Sequence, residues 1–114
     1  MTDCLFCKIA SKEIPSSIVF EDDRVVAFKD INPAAPVHIL IIPKVHIQSV
    51  LDIGESNSEI VAYIFEVAAK IAREQGLAEK GFRIVANTGM DGGQTVPHLH
   101  YHLLGGRSLQ WPPG

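Results

Sequence analysis

Residues 97–106 read PHLHYHLLGG, and a histidine stands at every second position from 98 to 102. The positions between and after them, Leu99, Tyr101 and Leu103, are apolar. This alternation is typical of a β-strand with one polar and one apolar face, since successive side chains on a strand point to opposite sides. We therefore predict a strand over residues 98–104, with neighbouring imidazoles about 6.6 Å apart on one face.

The remaining hydrophobic pattern predicts an α+β domain. Apolar residues recur at helical spacing over residues 58–75, which predicts a long helix that opens with a capping box of Ser56 and Glu59 and ends at Gly76. A short helix is predicted over residues 5–11. Further strands are predicted over residues 17–21, 24–29, 37–42 and 82–87. The chain, residues 1–114, is thus expected to be one domain in which two helices pack on a five-stranded antiparallel sheet.

The charge balance argues against nucleic acid and anionic membranes as partners. Ten Lys and Arg residues stand against 13 Asp and Glu, for a formal net charge of −3, and no basic cluster is present. The longest apolar run, residues 37–43, is far too short to span a bilayer, and the first residues lack the pattern of a secretory signal. We expect a cytoplasmic protein with neither partner.

The histidine row allows three interpretations. It is a solvated strand face, a metal site in which His-x-His supplies two nitrogens to one ion, or a catalytic group. Three ligands in a row serve one metal poorly, because the outer two begin about 13 Å apart. Neutral imidazole is a good nucleophile near pH 7, and a neighbouring ring can stabilise the charge that develops during attack on phosphorus. Spacing alone leaves all three open.

The residues 98–104 match the motif His-φ-His-φ-His-φ-φ, where φ is apolar, at every position. The chain thereby resembles the histidine triad nucleotide hydrolases. The likeness extends to residues 13–15, 20–23, 28–31, 38–43, 92–96, 105–107 and 111–114. The terminal Trp-Pro-Pro-Gly is similar to the Hint branch, which hydrolyses nucleoside phosphoramidates, rather than the Fhit branch, which cleaves dinucleoside polyphosphates. The resemblance implies a single histidine triad (HIT) domain and a homodimer whose sheets continue across the twofold axis.

The resemblance also implies roles for the residues that meet the phosphate. His100 would be the nucleophile, forming a nucleotidyl-histidine that water then hydrolyses. His102 would hydrogen-bond the phosphate, and His98 would support the other two from behind. Thr95 would contact the phosphate or leaving group, and Asn87 would touch the phosphate, although both residue types also suit ordinary turns.

Other positions would bind the nucleoside. Asp30 matches the carboxylate that accepts hydrogen bonds from both ribose hydroxyls, and Phe6, Phe28 and Ile31 would form an apolar slot for the base. These residues would equally suit a turn and a plain core. The resemblance completes the nucleotide-binding set with Gln94, Val96 and Trp111. Backbone N–H groups of the Gly-rich loop at residues 89–93 could also approach a phosphate.

The two cysteines form a C-x-x-C at Cys4 and Cys7. In a reducing compartment this pair favours metal or thiol chemistry over a disulfide, although two buried thiols remain an alternative. The resemblance implies a structural zinc held by Cys4, Cys7, His46 and His98, which would staple the first helix to the sheet. The chemistry itself would need no metal.

The expected activity is hydrolysis of a purine nucleoside 5′-phosphoramidate to a nucleoside monophosphate and an amine. One alternative is a dinucleoside polyphosphate or acyl-adenylate hydrolase that uses the same histidine. A third interpretation is a nucleotide-binding, zinc-stabilised interaction module whose hydrolysis is incidental. His38 has no matched catalytic role and is expected to be a packed or edge histidine.

Overall fold

The computed structural model describes residues 4–114, which form a five-stranded antiparallel sheet with helices on both faces. The strands are β1 (Ile18–Glu21), β2 (Val25–Lys29), β3 (Val37–Pro43), β4 (Phe82–Val85) and β5 (Tyr101–Gly105), in the order β1-β2-β3-β5-β4. The helices are α1 (Leu5–Ala10), α2 (Ser58–Glu74) and the single turn α3 (Gly89–Gly92), with a 3-10 turn at Val50–Asp52. The predicted fold class is confirmed.

The helix α2 covers one face of the sheet and forms the larger core with it. Its buried residues are Ile64, Val67, Ala68, Ile71 and Ala72. They share a hydrophobic cluster with Leu99, Tyr101 and Leu103, the apolar residues that alternate with the histidines. The predicted division of this segment into two faces is therefore confirmed.

The helix α1 lies on the opposite face, where it forms a smaller core. Phe6 and Ile9 of α1 pack against Val26, Phe28, Leu40 and Ile42 of the two central strands β2 and β3. The histidine side chains are on this same face, because Phe6 contacts the rings of both His98 and His100 edge-on. The position of α1 thus decides what surrounds the histidines.

Apart from differences of one residue, two predicted strand boundaries and the predicted helix cap are wrong. The capping box does not form, because the helix begins one residue after Asn57, whose Oδ1 accepts from the N–H of Gly54 at 2.7 Å. The strand β4 ends at Val85 rather than at residue 87. The ladder of β5 begins only at Tyr101, and the earlier N–H of Leu99 donates to the carbonyl of Ile47.

The end of α2 follows the prediction. The helix ends just before Gly76, which adopts a left-handed φ of +76°.

Among the described residues no helix combines the length and the apolar character needed to cross a bilayer.

Gly106, directly after β5, offers a test of how the histidine strand is fixed. Its φ is +94°, and an added Cβ would lie 2.8 Å from Cβ of the rigid Pro36 ring. We expect Gly106→Ala to lower the free energy of unfolding by about 2–4 kcal/mol, because the backbone strain of alanine at this φ adds to the steric overlap with Pro36. The control is Gly54→Ala, where a Cβ meets nothing within 4 Å. Equal free energies of unfolding for the two variants in denaturant titrations would show that neither the left-handed φ nor the Pro36 contact requires glycine at position 106.

Candidate active site

A cavity of about 360 Å³ opens on the α1 face of the sheet. Eight of the predicted site residues line it: Phe6, Phe28, Asp30, Ile31, Thr95, Val96, His100 and His102. The phenyl rings of Phe6 and Phe28 meet edge to face at 5.6 Å. One wall is therefore apolar and aromatic, and the imidazoles stand at another.

His100 is held in one tautomer by the backbone. Its Nδ1 lies 2.8 Å from the carbonyl oxygen of His98, and a carbonyl only accepts, so Nδ1 carries the proton. In the neutral ring the other nitrogen, Nε2, then has a free lone pair. The ring is 5% exposed and borders the cavity. The structure thus holds a buried imidazole in a fixed orientation beside the cavity.

His102 is held in the opposite tautomer by His38. The backbone N–H of Ala34 donates to Nδ1 of His38 at 3.0 Å, so the ring proton of His38 is on Nε2. That N–H donates to Nδ1 of His102 at 2.9 Å, which leaves the proton of His102 on Nε2. Since His102 also borders the cavity, it has an N–H to offer a ligand oxygen.

The environment keeps His102 uncharged. Burial is the main cause, and the neighbouring His100 and His38 rings add to it, so that the pKa of His102 is lowered to about 4 despite the nearby Asp30. The ring therefore stays neutral across the physiological range. It can act as a hydrogen-bond donor without carrying a net charge.

Asp30 stands at the end of β2, beside His38. One carboxylate oxygen accepts from the N–H of Asn32 at 2.8 Å, and the other lies 3.4 Å from Nε2 of His38. A carboxylate has about four lone-pair sites, so capacity remains for a ligand hydroxyl. The side chain is 19% exposed and lines the cavity.

His98 faces away from the cavity, toward the cysteines. Its Nε2 lies 2.9 Å from the carbonyl of Pro43, which fixes the proton there and leaves Nδ1 bare. Nδ1 is 3.2 Å from Sγ of Cys4, 3.5 Å from Sγ of Cys7 and 3.2 Å from Nδ1 of His46. Complete burial lowers the pKa of His98. The four residues converge as their predicted ligand set requires.

The donor set fits zinc. With Zn–S near 2.3 Å and Zn–N near 2.0–2.1 Å, tetrahedral ligand atoms lie about 3.3–3.8 Å apart, close to the separations found here. Sγ of Cys7 and Nδ1 of His46 are 3.3 Å apart, and all four ligand atoms lie within 4.8 Å of one another. Burial, and then the Cys4 thiol, raise the pKa of Cys7 to about 11, so a cation must displace its proton.

Three predicted nucleotide-binding residues do not line the cavity of the single chain. The amide of Gln94 braces a loop instead: it donates to the carbonyls of Gln48 and Val96 and accepts from the N–H of Gly89. Asn87 is half-buried outside the lining, and Trp111 is 80% exposed. The predicted Gly-rich loop is partly helical, since its first four residues form α3.

His38 makes a contact at the site that the sequence did not predict. Its side chain is packed, as expected, and in addition it fixes the tautomer of His102. The available signal was the register of a buried strand, which pairs His38 with Leu104 and so puts it beside His102. Leu5, Ile9, Ile14 and Leu40 were also missed as lining residues.

The antiparallel sheet and the row of imidazoles beside one cavity narrow the class of protein, and comparison with known proteins gives the family. Residues 11–109 match the family model described as "HIT domain". The chain therefore belongs to the HIT domain family. The resemblance drawn from the histidine motif is confirmed.

Relatives span nearly the whole chain. The chain is 50% identical over 107 residues to a purine nucleoside phosphoramidase of Escherichia coli K12, which covers 94% of this chain and 90% of the relative. A "14 kDa zinc-binding protein" of Zea mays is 52% identical over 112 residues, covering 96% and 87%. The structure of a HIT family hydrolase from Legionella pneumophila is 54% identical, with a TM-score of 0.97, and covers 98% of this chain and 100% of that one.

The low pKa of His102 predicts a pH dependence of stability. Its pKa is about 4 in the folded chain and about 6.5 when unfolded, so between these values only the unfolded chain takes up this proton. Stability therefore falls as the pH drops from about 6.5 to 4. We expect His102→Asn, whose Oδ1 can still accept from His38, to reduce this fall by on the order of 2 kcal/mol.

The measurement is urea unfolding of both proteins across that pH range, with both in the same metal state. If the free energy of unfolding falls equally with pH in the two proteins, the fold does not hold His102 neutral.

Proposed function

We propose that the chain hydrolyses purine nucleoside 5′-phosphoramidates, releasing a nucleoside monophosphate and an amine. The observation that carries the proposal is the pair of opposed tautomers at the cavity. His100 offers the bare Nε2, and His102 offers an Nε2–H beside it, with the ring centroids 5.1 Å apart. One atom can attack phosphorus while the other stabilises the oxygen on which charge develops.

The reaction follows from these two atoms. The lone pair on Nε2 of His100 attacks phosphorus, and the bond from phosphorus to the amine breaks. A nucleotidyl-histidine forms, while the N–H of His102 donates to a phosphoryl oxygen. The amine nitrogen takes a proton from solvent as its bond to phosphorus breaks in this first step. Water then attacks phosphorus and Nε2 of His100 leaves, so that the hydroxyl stays on the nucleotide and the other proton of the water returns to solvent. The hydrogen bond to His98 keeps the ring oriented throughout.

The rest of the cavity suits a nucleoside. We assign the remaining lone pairs of Asp30 to the ribose hydroxyls, and the apolar wall of Phe6, Phe28 and Ile31 to the base. Ile31 is 91% exposed at the cavity mouth, where it can cover one face of a flat ring. Thr95 is an exposed lining residue, within reach of a phosphate or leaving group.

The metal proposal is separate from the chemistry. We propose that Cys4, Cys7, His46 and His98 hold a structural zinc, supported by their donor geometry and by the relatives named for zinc binding. When bound, the ion would tie α1 to the loop that follows β3 and to the segment before β5. His100 and His102 remain free, and no metal is assigned to the hydrolysis.

We also propose a homodimer whose sheet continues across a twofold axis. The strand β4 is at an edge of the sheet and carries Phe82, which is 40% exposed. Arg83 of the same strand donates to the carbonyls of Leu109 and Gln110, which ties the C-terminal tail to that edge. In such a dimer Trp111 would stand near the partner's nucleotide site and shape the selection of the leaving group.

The nucleophile can be tested by trapping. Incubation with adenosine 5′-phosphoramidate, followed by rapid denaturation at alkaline pH, should give a protein that carries one adenylyl group on His100 in peptide mass spectra. We expect His100→Ala to remove the adduct and to lower kcat/KM by about 10⁴-fold, with AMP affinity changed only a few-fold.

The control is Tyr101→Phe, a neighbouring change on the opposite face of the strand, which should keep turnover within about threefold. Turnover without an adduct, or full activity of His100→Ala, would refute the proposed nucleophile. AMP binding without turnover or adduct in the unmodified chain would favour a binding module.

The zinc proposal predicts a stoichiometric metal that depends on the cysteines. We expect about one zinc per chain after purification from zinc-supplemented medium, and much less in Cys7→Ser, with a lower Tm for the variant because one of four ligands is gone. Ser11→Ala, just past the same helix, is the control, since its hydroxyl bonds Lys8 and Glu13 in solvent. Elemental analysis that finds equal zinc in both variants would contradict the ligand set.

A further inference from the structure

The helix α1 stands between the cysteine cluster and the cavity. Cys4 is its N-cap residue and Cys7 lies one turn later, both within reach of the metal-facing nitrogens. From the same six-residue helix, Leu5, Phe6 and Ile9 line the cavity. One rigid turn therefore carries two metal ligands and part of the wall assigned to the base.

Such a short helix does not hold its own position. Isolated helices below about 12–15 residues are marginal in water, so tertiary contacts decide where α1 sits. On the sheet side those contacts come from Phe6 and Ile9 in the smaller core. On the other side they come from the two thiols, whose neighbours are His46 and His98. A cation on the four donors would add the strongest of these ties.

Phe6 connects the cluster to the reacting groups. Its ring centroid is 6.0 Å from that of His98, 5.0 Å from that of His100 and 5.6 Å from that of Phe28. The ring is 5% exposed, so it cannot shift without moving these neighbours. A displacement of α1 would therefore move both the wall assigned to the base and the ring of His100.

His98 forms a second connection. Its ring faces the thiols through Nδ1, while its own backbone carbonyl accepts the hydrogen bond that orients His100. The ring is also tied to the carbonyl of Pro43 at 2.9 Å. The same residue thus holds the metal cluster on one side and the attacking nitrogen on the other.

We infer that Cys4 and Cys7 are positioning residues for the active site: zinc on the cluster fixes α1 and His98, so zinc and nucleotide bind cooperatively to one chain. The inference rests on the proposed function, because it requires a nucleotide in the cavity. Linkage makes the effect reciprocal, so nucleotide must raise zinc affinity by the same factor by which zinc raises nucleotide affinity. If zinc stabilised the fold without fixing the cavity, zinc and nucleotide would not change each other's affinity.

The experiment measures both factors on the full-length chain. AMP affinity is determined by calorimetry with zinc-loaded and zinc-free protein, and zinc affinity by chelator competition with and without saturating AMP. We expect both factors to be about tenfold and equal. If the zinc-loaded chain binds AMP but neither ligand changes the affinity of the other, the coupling is overturned and the proposed function stays intact. Failure of the zinc-loaded chain to bind AMP would instead overturn the proposed function.

A kinetic version starts from the loaded protein and does not need a folded zinc-free chain. Saturating AMP should slow zinc release to excess chelator about tenfold, whereas ribose 5-phosphate, which lacks the base that meets α1, should slow it less. Equal effects of the two ligands would overturn the role of the α1 wall.

Phe6→Leu tests the connecting ring. We expect this variant to keep one zinc per chain while the AMP effect on zinc release falls below about threefold. An undiminished effect would remove Phe6 from the coupling.

Discussion

The hydrogen bond from Nδ1–H of His100 to the carbonyl of His98 is the contact on which the site depends. It decides which ring nitrogen has a lone pair and where that lone pair points. The bond is available because the β5 ladder begins only at Tyr101, so the carbonyl of His98 lies outside the strand pairing. The late start of the strand, which the alternation of side chains did not predict, therefore frees the acceptor that orients the proposed nucleophile.

The other imidazoles are fixed in the same way, each by a backbone group or by a ring that is itself so fixed. Pro43 sets His98, Ala34 sets His38, and His38 sets His102. Burial lowers the pKa of both His98 and His102, which favours the neutral form of both rings in the folded chain. With His100 unprotonated, the site thus offers a lone pair on one ring and an N–H on another. Similar residues at similar spacing thus differ in their partners, which suits them to the three proposed roles of metal ligand, nucleophile and hydrogen-bond donor.

Much of this was predictable from local pattern. The alternation of histidine and apolar residues gave the two faces, the 3.6-residue period gave α2, and the histidine motif gave the family. The predicted capping box failed because α2 begins at Ser58, which makes Asn57 rather than Ser56 the N-cap residue, a shift of one residue that the local pattern does not resolve. His38 and the α1 contacts depend on which strands become neighbours. Such long-range pairing is set by the whole fold, and no local period reveals it.

NMR of the imidazole nitrogens in protein labelled with ¹⁵N-histidine shows whether the fold sets the tautomers. At neutral pH we expect the ring proton on Nδ1 of His100 and on Nε2 of both His98 and His102. A spectrum with the proton of His100 on Nε2, or with rapid exchange between its two tautomers, would show that the fold does not fix this ring, since the nitrogen at the cavity would then have no fixed lone pair.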